Sequence, residues 1–176
     1  VADNSQLGAP ASIASVGFAL GAYVVGVNRG WMSRTDAIQR TLAVLHFFWN
    51  SEQSTAPDAT GYRGFFYHFL DINTGKRSGK CELSTIDTGI LLAGILIAAT
   101  FFNHDSEEEH EIRTLADAIY RRVEWKWACN GETTITHGWT PENGFLPYRW
   151  EGYDEAALLY LLALGSPSHP LTKESY

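Results

Sequence analysis

The stretch T-I-D-T-G-I-L-L-A-G-I-L-I-A-A-T-F-F-N, residues 85–103, decides the reading of the fold. Asp87 is its sole charged residue, and it sits where a helix would begin. A helix apolar all round is buried on every side, whereas a one-sided helix faces solvent. Two more stretches of this apolar kind occupy residues 11–28 and 152–164. Between them lie two charged, amphipathic stretches, 33–50 and 107–128. Strict alternation of the two types is the pattern of a layered ring of helical hairpins, with the apolar helices inside.

The boundaries follow from local chemistry. Pro10 suits the first turn of helix one, and Gly30 suits its stop. Ser33 with Asp36 resembles a capping box for helix two, whose stripe is Ile38, Leu42, Leu45 and Trp49. The loop 51–61 is polar. Phe65 to Leu70 is aromatic and strand-prone, and Asn73-Thr74-Gly75-Lys76 is a turn signal, so a short β-hairpin is expected within 62–80. Ser84 caps helix three; Ser106 with Glu109 caps helix four, with Ile112, Leu115, Ile119, Val123 and Trp127 on one stripe. Residues 130–150 form a second excursion, turning at Pro141-Glu142-Asn143-Gly144. Helix five ends at Gly165. Both long excursions precede an apolar helix, so functional loops collect at one face.

Bulk properties narrow the function. The length of 176 residues suits one domain, taken here as 1–176. The net charge of −7 and the lack of a Lys/Arg-rich run argue against nucleic acid. The run 88–102 is too short to span a bilayer, which takes about 20 apolar residues. Residues 16–27 look like a signal core, yet Asp3 and the absence of Lys or Arg before them argue against one. Cys81 and Cys129 make neither a disulfide framework nor a metal cluster, although one bridge is conceivable.

Carboxylates gather at the apolar helix starts: Glu82 and Asp87 at one, Glu151, Asp154 and Glu155 at another. If those helices run the same way, the acids share one mouth, a route to two-carboxylate catalysis. Asp87 also reads as a dipole-complementing cap, and Glu82 as a loop acid or a partner of Arg77. Glu151 and Glu155, four apart, fall on one helical face if the helix starts early enough. Tyr148, Arg149, Trp150 and Tyr153 crowd them, and such crowding raises a carboxyl's pKa by desolvation. His68 and His137 lie in the excursions, as do Trp139 and Trp150, the better candidates for sugar stacking; Tyr67 belongs to the aromatic hairpin. The acidic run at 103–111 reads as a solvated helix start. No His/Asp/Glu set shows metal-ligand spacing, and no cofactor is expected.

The runs GFFYHFLDINTGKR (64–77), CELSTIDTGILLAGIL (81–96) and HGWTPENGFLPYRWEGYDEAALLYLLALGSPSHPL (137–171) closely resemble the glycoamylase-like family of bacteria. That family includes endo-β-1,2-glucanases and domains attached to cyclic β-1,2-glucan synthases. The resemblance implies a mainly α, (α/α)6-toroid fold with short β-hairpin excursions, of which this chain carries the N-terminal half, and acids around a glucan cleft. By the same resemblance Glu82, Asp87, Glu151 and Glu155 are cleft residues, Glu82 and Glu151 being the foremost catalytic candidates. Trp150, Tyr153, Trp139, Tyr67, His68, His137 and Arg149 are the expected substrate contacts.

The expectation is a glycoside hydrolase acting on a β-glucan, most of all a β-1,2-linked one. An oligo- or polysaccharide is then the partner, in a periplasmic or secreted setting, with self-association to cover exposed apolar helices. The rivals are a glucan-binding module without catalysis and a helical fragment without a ligand.

Overall fold

The computed structural model describes residues 3–4, 6, 8–152 and 154–175. Strand β1 (Ala11–Ser12) leads into helix α1 (Ile13–Asn28), followed by α2 (Arg34–Asn50). Four short strands come next: β2 (Gly61–Tyr62), β3 (Phe65–Tyr67), β4 (Phe69–Leu70) and β5 (Leu83–Ser84). Helices α3 (Thr85–Phe101), α4 (Glu107–Arg121) and α5 (Trp125–Ala128) precede β6 (Gly138–Thr140) and β7 (Gly144–Phe145). Helix α6 (Ala157–Leu164) and a short 3-10 turn (Lys173–Ser175) complete the order.

The helices form two layers, as the alternation requires. Apolar α3 packs between α1 and α6, while charged α2 and α4 pack on each other outside them. Backbone meets backbone between α1 and α3: a Cβ on Gly94 would lie 2.1 Å from the Gly17 carbonyl oxygen. The outer layer is tied by Arg34, whose Nε and Nη2 donate to the two Glu109 oxygens at 2.7 and 2.8 Å. Glu109 is thus buried, whereas the sequence places it in a solvated run; the Arg34 hydrogen bonds hold its carboxyl below the usual range against the cost of burial.

The apolar helices are not covered all round. Phe18 is 69% exposed, Val25 51%, Ile97 51% and Leu161 70%, so α1, α3 and α6 each present an uncharged stripe. An arc of hairpins leaves one face of its inner layer open; a closed ring would not.

Three features of the first four helices differ from the sequence reading. Ala11 and Ser12 leave the helix to pair with Leu70 and Phe69. On α2 the buried end of the stripe is Phe48, while Trp49 is 40% exposed. Helix four breaks after Arg121, because the β2–β3 turn abuts it: Glu124 N–H donates to Arg63 O, and a Cβ on Gly64 would sit 2.6 Å from the Arg122 carbonyl. Arg63 and Gly64 both have positive φ, 53° and 83°, the turn that matches strand twist in a two-residue hairpin.

The two excursions share one antiparallel sheet of order β2-β3-β5-β6-β7, a union the sequence does not announce. Since β1 pairs with β4, β5 pairs with β3, and α1 and α3 follow β1 and β5 directly, both helices begin at the same strand-lined end. The N-terminal end of α6 joins them there, through the Tyr160 hydroxyl, which donates to Trp150 O at 2.8 Å and accepts from Ile135 N–H at 3.0 Å. Cys81 and Cys129 are free thiols.

Candidate active site

The first acid cluster assembles by strand register. Tyr67 lies opposite Leu83 and Phe66 opposite Ser84. One step further the His68 N–H donates to Glu82 O at 2.9 Å, so both side chains leave the ladder on the same face. His68 Nδ1 then lies 2.9 Å from Glu82 Oε1, and His68 Nε2 lies 3.7 Å from Asp87 Oδ1. Asp87 is fixed by the cap: the Ser84 hydroxyl donates to Asp87 Oδ2, and Ser84 Oγ accepts from Asp87 N–H at 3.3 Å. The imidazole stacks on Phe69, with ring centres 3.9 Å apart and planes 14° apart.

The electrostatics follow from that contact. The hydrogen bond with Glu82 raises the His68 pKa above its ordinary value, against burial, and the charges of Asp87 and Glu82 add to the rise. The same bond lowers the Glu82 carboxyl against its own burial. Glu82 is therefore held ionised, which suits a base, a nucleophile or a positioning group. Its partner is His68; Arg77, the partner the sequence offers, pairs with Glu142 at 2.7 Å instead.

Donor atoms of His68, Glu82 and Asp87 all lie within 4.8 Å of one another, a spacing that sequence distance hides because three elements supply them. One ring nitrogen and one oxygen from each acid meet that spacing, while in the structure Nδ1 is engaged by Glu82 and Nε2 faces Asp87. One hydrogen bond, to Glu82, and one longer ionic contact, to Asp87, account for the geometry.

The second cluster forms differently. Helix α6 starts at Ala157, without a side-chain cap, so Glu151 and Glu155 precede it and share no helical face. Gly152 has φ 94°, a conformation outside any helix. Both acids are exposed, so the desolvation argued from sequence is not met. Glu151 accepts from the Thr134 hydroxyl at 3.3 Å and, with Thr134, Trp150, Gly152 and Tyr160, lines a concavity of about 230 Å³. Tyr153 lies outside the described residues.

Among the aromatic candidates, Trp150 stays beside the mouth. Its ring stacks on His137 at 3.9 Å, and its Nε1 donates to Thr85 Oγ1 at 3.1 Å. Thr85 passes the link on, donating to Thr136 O at 2.7 Å. This hub was missed; its signal is a second hydroxyl beside the capping Ser84. Trp139 pairs with Leu83, hence on the face away from Glu82, and packs against Tyr62 and Trp127. Tyr67 is fully buried on that same side, its phenol pushed up to about 12 by desolvation with Arg77 over its ring, so it is removed from the surface. Arg149 Nη1 donates to the Cys129 and Thr134 carbonyls, and Nη2 meets Glu132, which makes it a staple of the loop.

With this geometry in hand, the architecture can be placed among known proteins. It superposes on the "putative glucoamylase" of Bacteroides uniformis with a TM-score of 0.87 and 27% identity, over 98% of this chain and 42% of that one. The fold is that of this solved structure. Residues 147–176 match the family model described as "Putative glucoamylase". The chain is also 26% identical, over 91% of its length, to an exo β-1,2-glucooligosaccharide sophorohydrolase of Parabacteroides distasonis, of which it spans 22%. An endo-β-1,2-glucanase from Chitinophaga pinensis, solved with sophorotriose and glucose, shares the fold at TM-score 0.82 and 23% identity, over 39% of that chain. The chain thus spans between about a fifth and two fifths of the relatives it matches. It is part of a helical toroid, consistent with its uncovered inner stripes.

Proposed function

We propose that this chain forms one side of the cleft of a glycoside hydrolase that cuts a β-1,2-linked glucan. The observation that carries the reading is the Glu82–His68–Asp87 group at the mouth formed by the strands and the start of α3. Hydrolysis needs one carboxyl to protonate the glycosidic oxygen and a second carboxylate for water or for the anomeric carbon. Glu82 and its partners supply one of these, Glu151 on its concavity is the candidate for the other, and Trp150 offers a stacking surface. The sophorohydrolase and glucanase names of the relatives support the substrate class.

Reducing-sugar release by the full reading frame containing this chain, on linear β-1,2-glucan beside starch, tests the reading. Release from β-1,2-glucan that Glu82→Gln abolishes is the expected result. Release from starch alone, or equal rates in parent and variant, overturns it. A binding module predicts instead that glucan retention survives Glu82→Gln and no product appears from the parent. A polymer is cut before its pieces are taken up, so the reading carries a periplasmic or secreted location, checked by cell fractionation. It also carries self-association of the 19.6 kDa chain through the exposed stripes, which Phe18→Glu with Leu161→Glu reduces in light scattering.

A further inference from the structure

We propose that His68 is a proton-holding positioning residue that joins Glu82 and Asp87 into a single acid–base unit serving one side of the scissile bond. This rests on the hydrolase reading above and adds a division of labour to it. The bridge is built in from several directions. The ring is clamped by Phe69, Asp87 is turned by Ser84, and Glu82 is aligned by the β3–β5 register. Gly138 keeps the space free: a Cβ there would lie 3.2 Å from Glu82 Cγ and 2.4 Å from the Leu83 carbonyl.

The imidazolium carries two N–H groups. Nδ1–H donates to Glu82 Oε1 at 2.9 Å, and Nε2–H faces Asp87 Oδ1 at 3.7 Å, a contact of the loose kind that tightens when substrate binds. When the Nε2 proton passes to Asp87 Oδ1, the N–H bond breaks and an O–H bond forms. The ring keeps the electron pair and becomes neutral; Glu82 stays ionised and bonded to Nδ1–H. The group's total charge of −1 is unchanged, and Asp87 now has a proton to give to a substrate oxygen. The other charged groups acting on the unit are Asp3, which adds to the field on His68, and Arg77, which favours the ionised Glu82, with the Cys81 thiol beside it.

One oxygen each of Glu82 and Asp87 lies within 4.8 Å of the other and of a His68 ring nitrogen. Because one imidazole contacts both carboxylates, the two are assigned one role, with the opposing carboxylate in another part of the cleft.

The test is an NMR titration of the imidazole in 15N-labelled protein, parent beside Asp87→Asn and Glu82→Gln. The His68 midpoint should lie above its ordinary 6.5 and fall in both variants. An Asp87→Asn variant whose midpoint equals the parent's overturns the unit. This readout needs no turnover, so it stands or falls apart from the choice of glucan. In activity, His68→Asn should move the basic limb of the kcat/KM profile to lower pH, and imidazole should restore rate to His68→Gly. An unmoved limb in His68→Asn overturns the proposal, whatever the loss in rate.

Discussion

The two acid clusters began alike in sequence and ended differently in space. At the start of α3, Ser84 caps the helix, Asp87 occupies its first turn, and the flanking strand fixes Glu82 against His68. Before α6 there is no side-chain cap, Gly152 breaks the backbone, and Glu151 and Glu155 stand in solvent. The difference teaches that acidic residues near a helix start become a site only when a second element, here the β3–β5 ladder, dictates where their carboxylates point.

The largest expected effect separates the clusters by turnover. In the full reading frame Glu82→Gln should lose at least about 100-fold in kcat. Glu151→Gln should lose roughly tenfold or more, and Glu155→Gln less than about twofold. A larger loss for Glu155 than for Glu82, measured by reducing-sugar release with circular dichroism unchanged, would break the comparison.

Stability gives the next contrast. Arg77 is buried, donates to the Cys81 carbonyl at 2.7 Å and ties the first excursion to Glu142 in the second. Arg77→Met leaves those acceptors unpaired and should cost about 2 kcal/mol in urea unfolding, a figure reduced because Glu142 is partly exposed. A cost near zero would show the excursions to be independent. Ser84→Ala should cost about 1 kcal/mol, as cap removal does. Asp154→Ala, which removes only a 2.9 Å acceptor for Ala156 N–H, should cost less, about 0.5 kcal/mol. Equal costs would mean that α6 is capped as firmly as α3.

The smallest effect lies in the pH dependence of stability. Glu82 is depressed in the folded state, so its contribution is present above its ordinary 4.5 and fades as pH falls through the folded value. His68 is raised, so its contribution is complete below its ordinary 6.5 and fades as pH rises through the folded value. The pair therefore stabilises most between those limits, and Glu82→Gln should flatten the hump in a series of urea midpoints. An unchanged hump would assign it to other groups.

How far the sequence carried this reading depended on the range of the interactions. The layering, the caps at Ser33, Ser84 and Ser106, and the strand character of 65–70 rest on contacts within a few residues, and all are present in the structure. The break after Arg121 was illegible because the hairpin tip at Arg63-Gly64 causes it from 58 positions away in the chain, counting from Arg63 to Arg121. The coupling of His68 to Glu82 was hidden for a related reason: an alternation of two residues per pleat says which side a residue takes only once the register is known. Tyr67 was expected at the cleft and is buried on the side that Trp139 also faces, since aromatic character is shared by sugar platforms and by cores.

The glycine contact between α1 and α3 has a bearing on how such a cleft can change. Because Gly17 and Gly94 touch through their main chains, the spacing of these two helices is gauged by peptide groups, with no side chain serving as a shim. The residues on the open stripes, Phe18 and Ile97 among them, are free of that duty. Their size and shape can drift to suit a different neighbour or sugar while the frame that carries Asp87 keeps its dimensions.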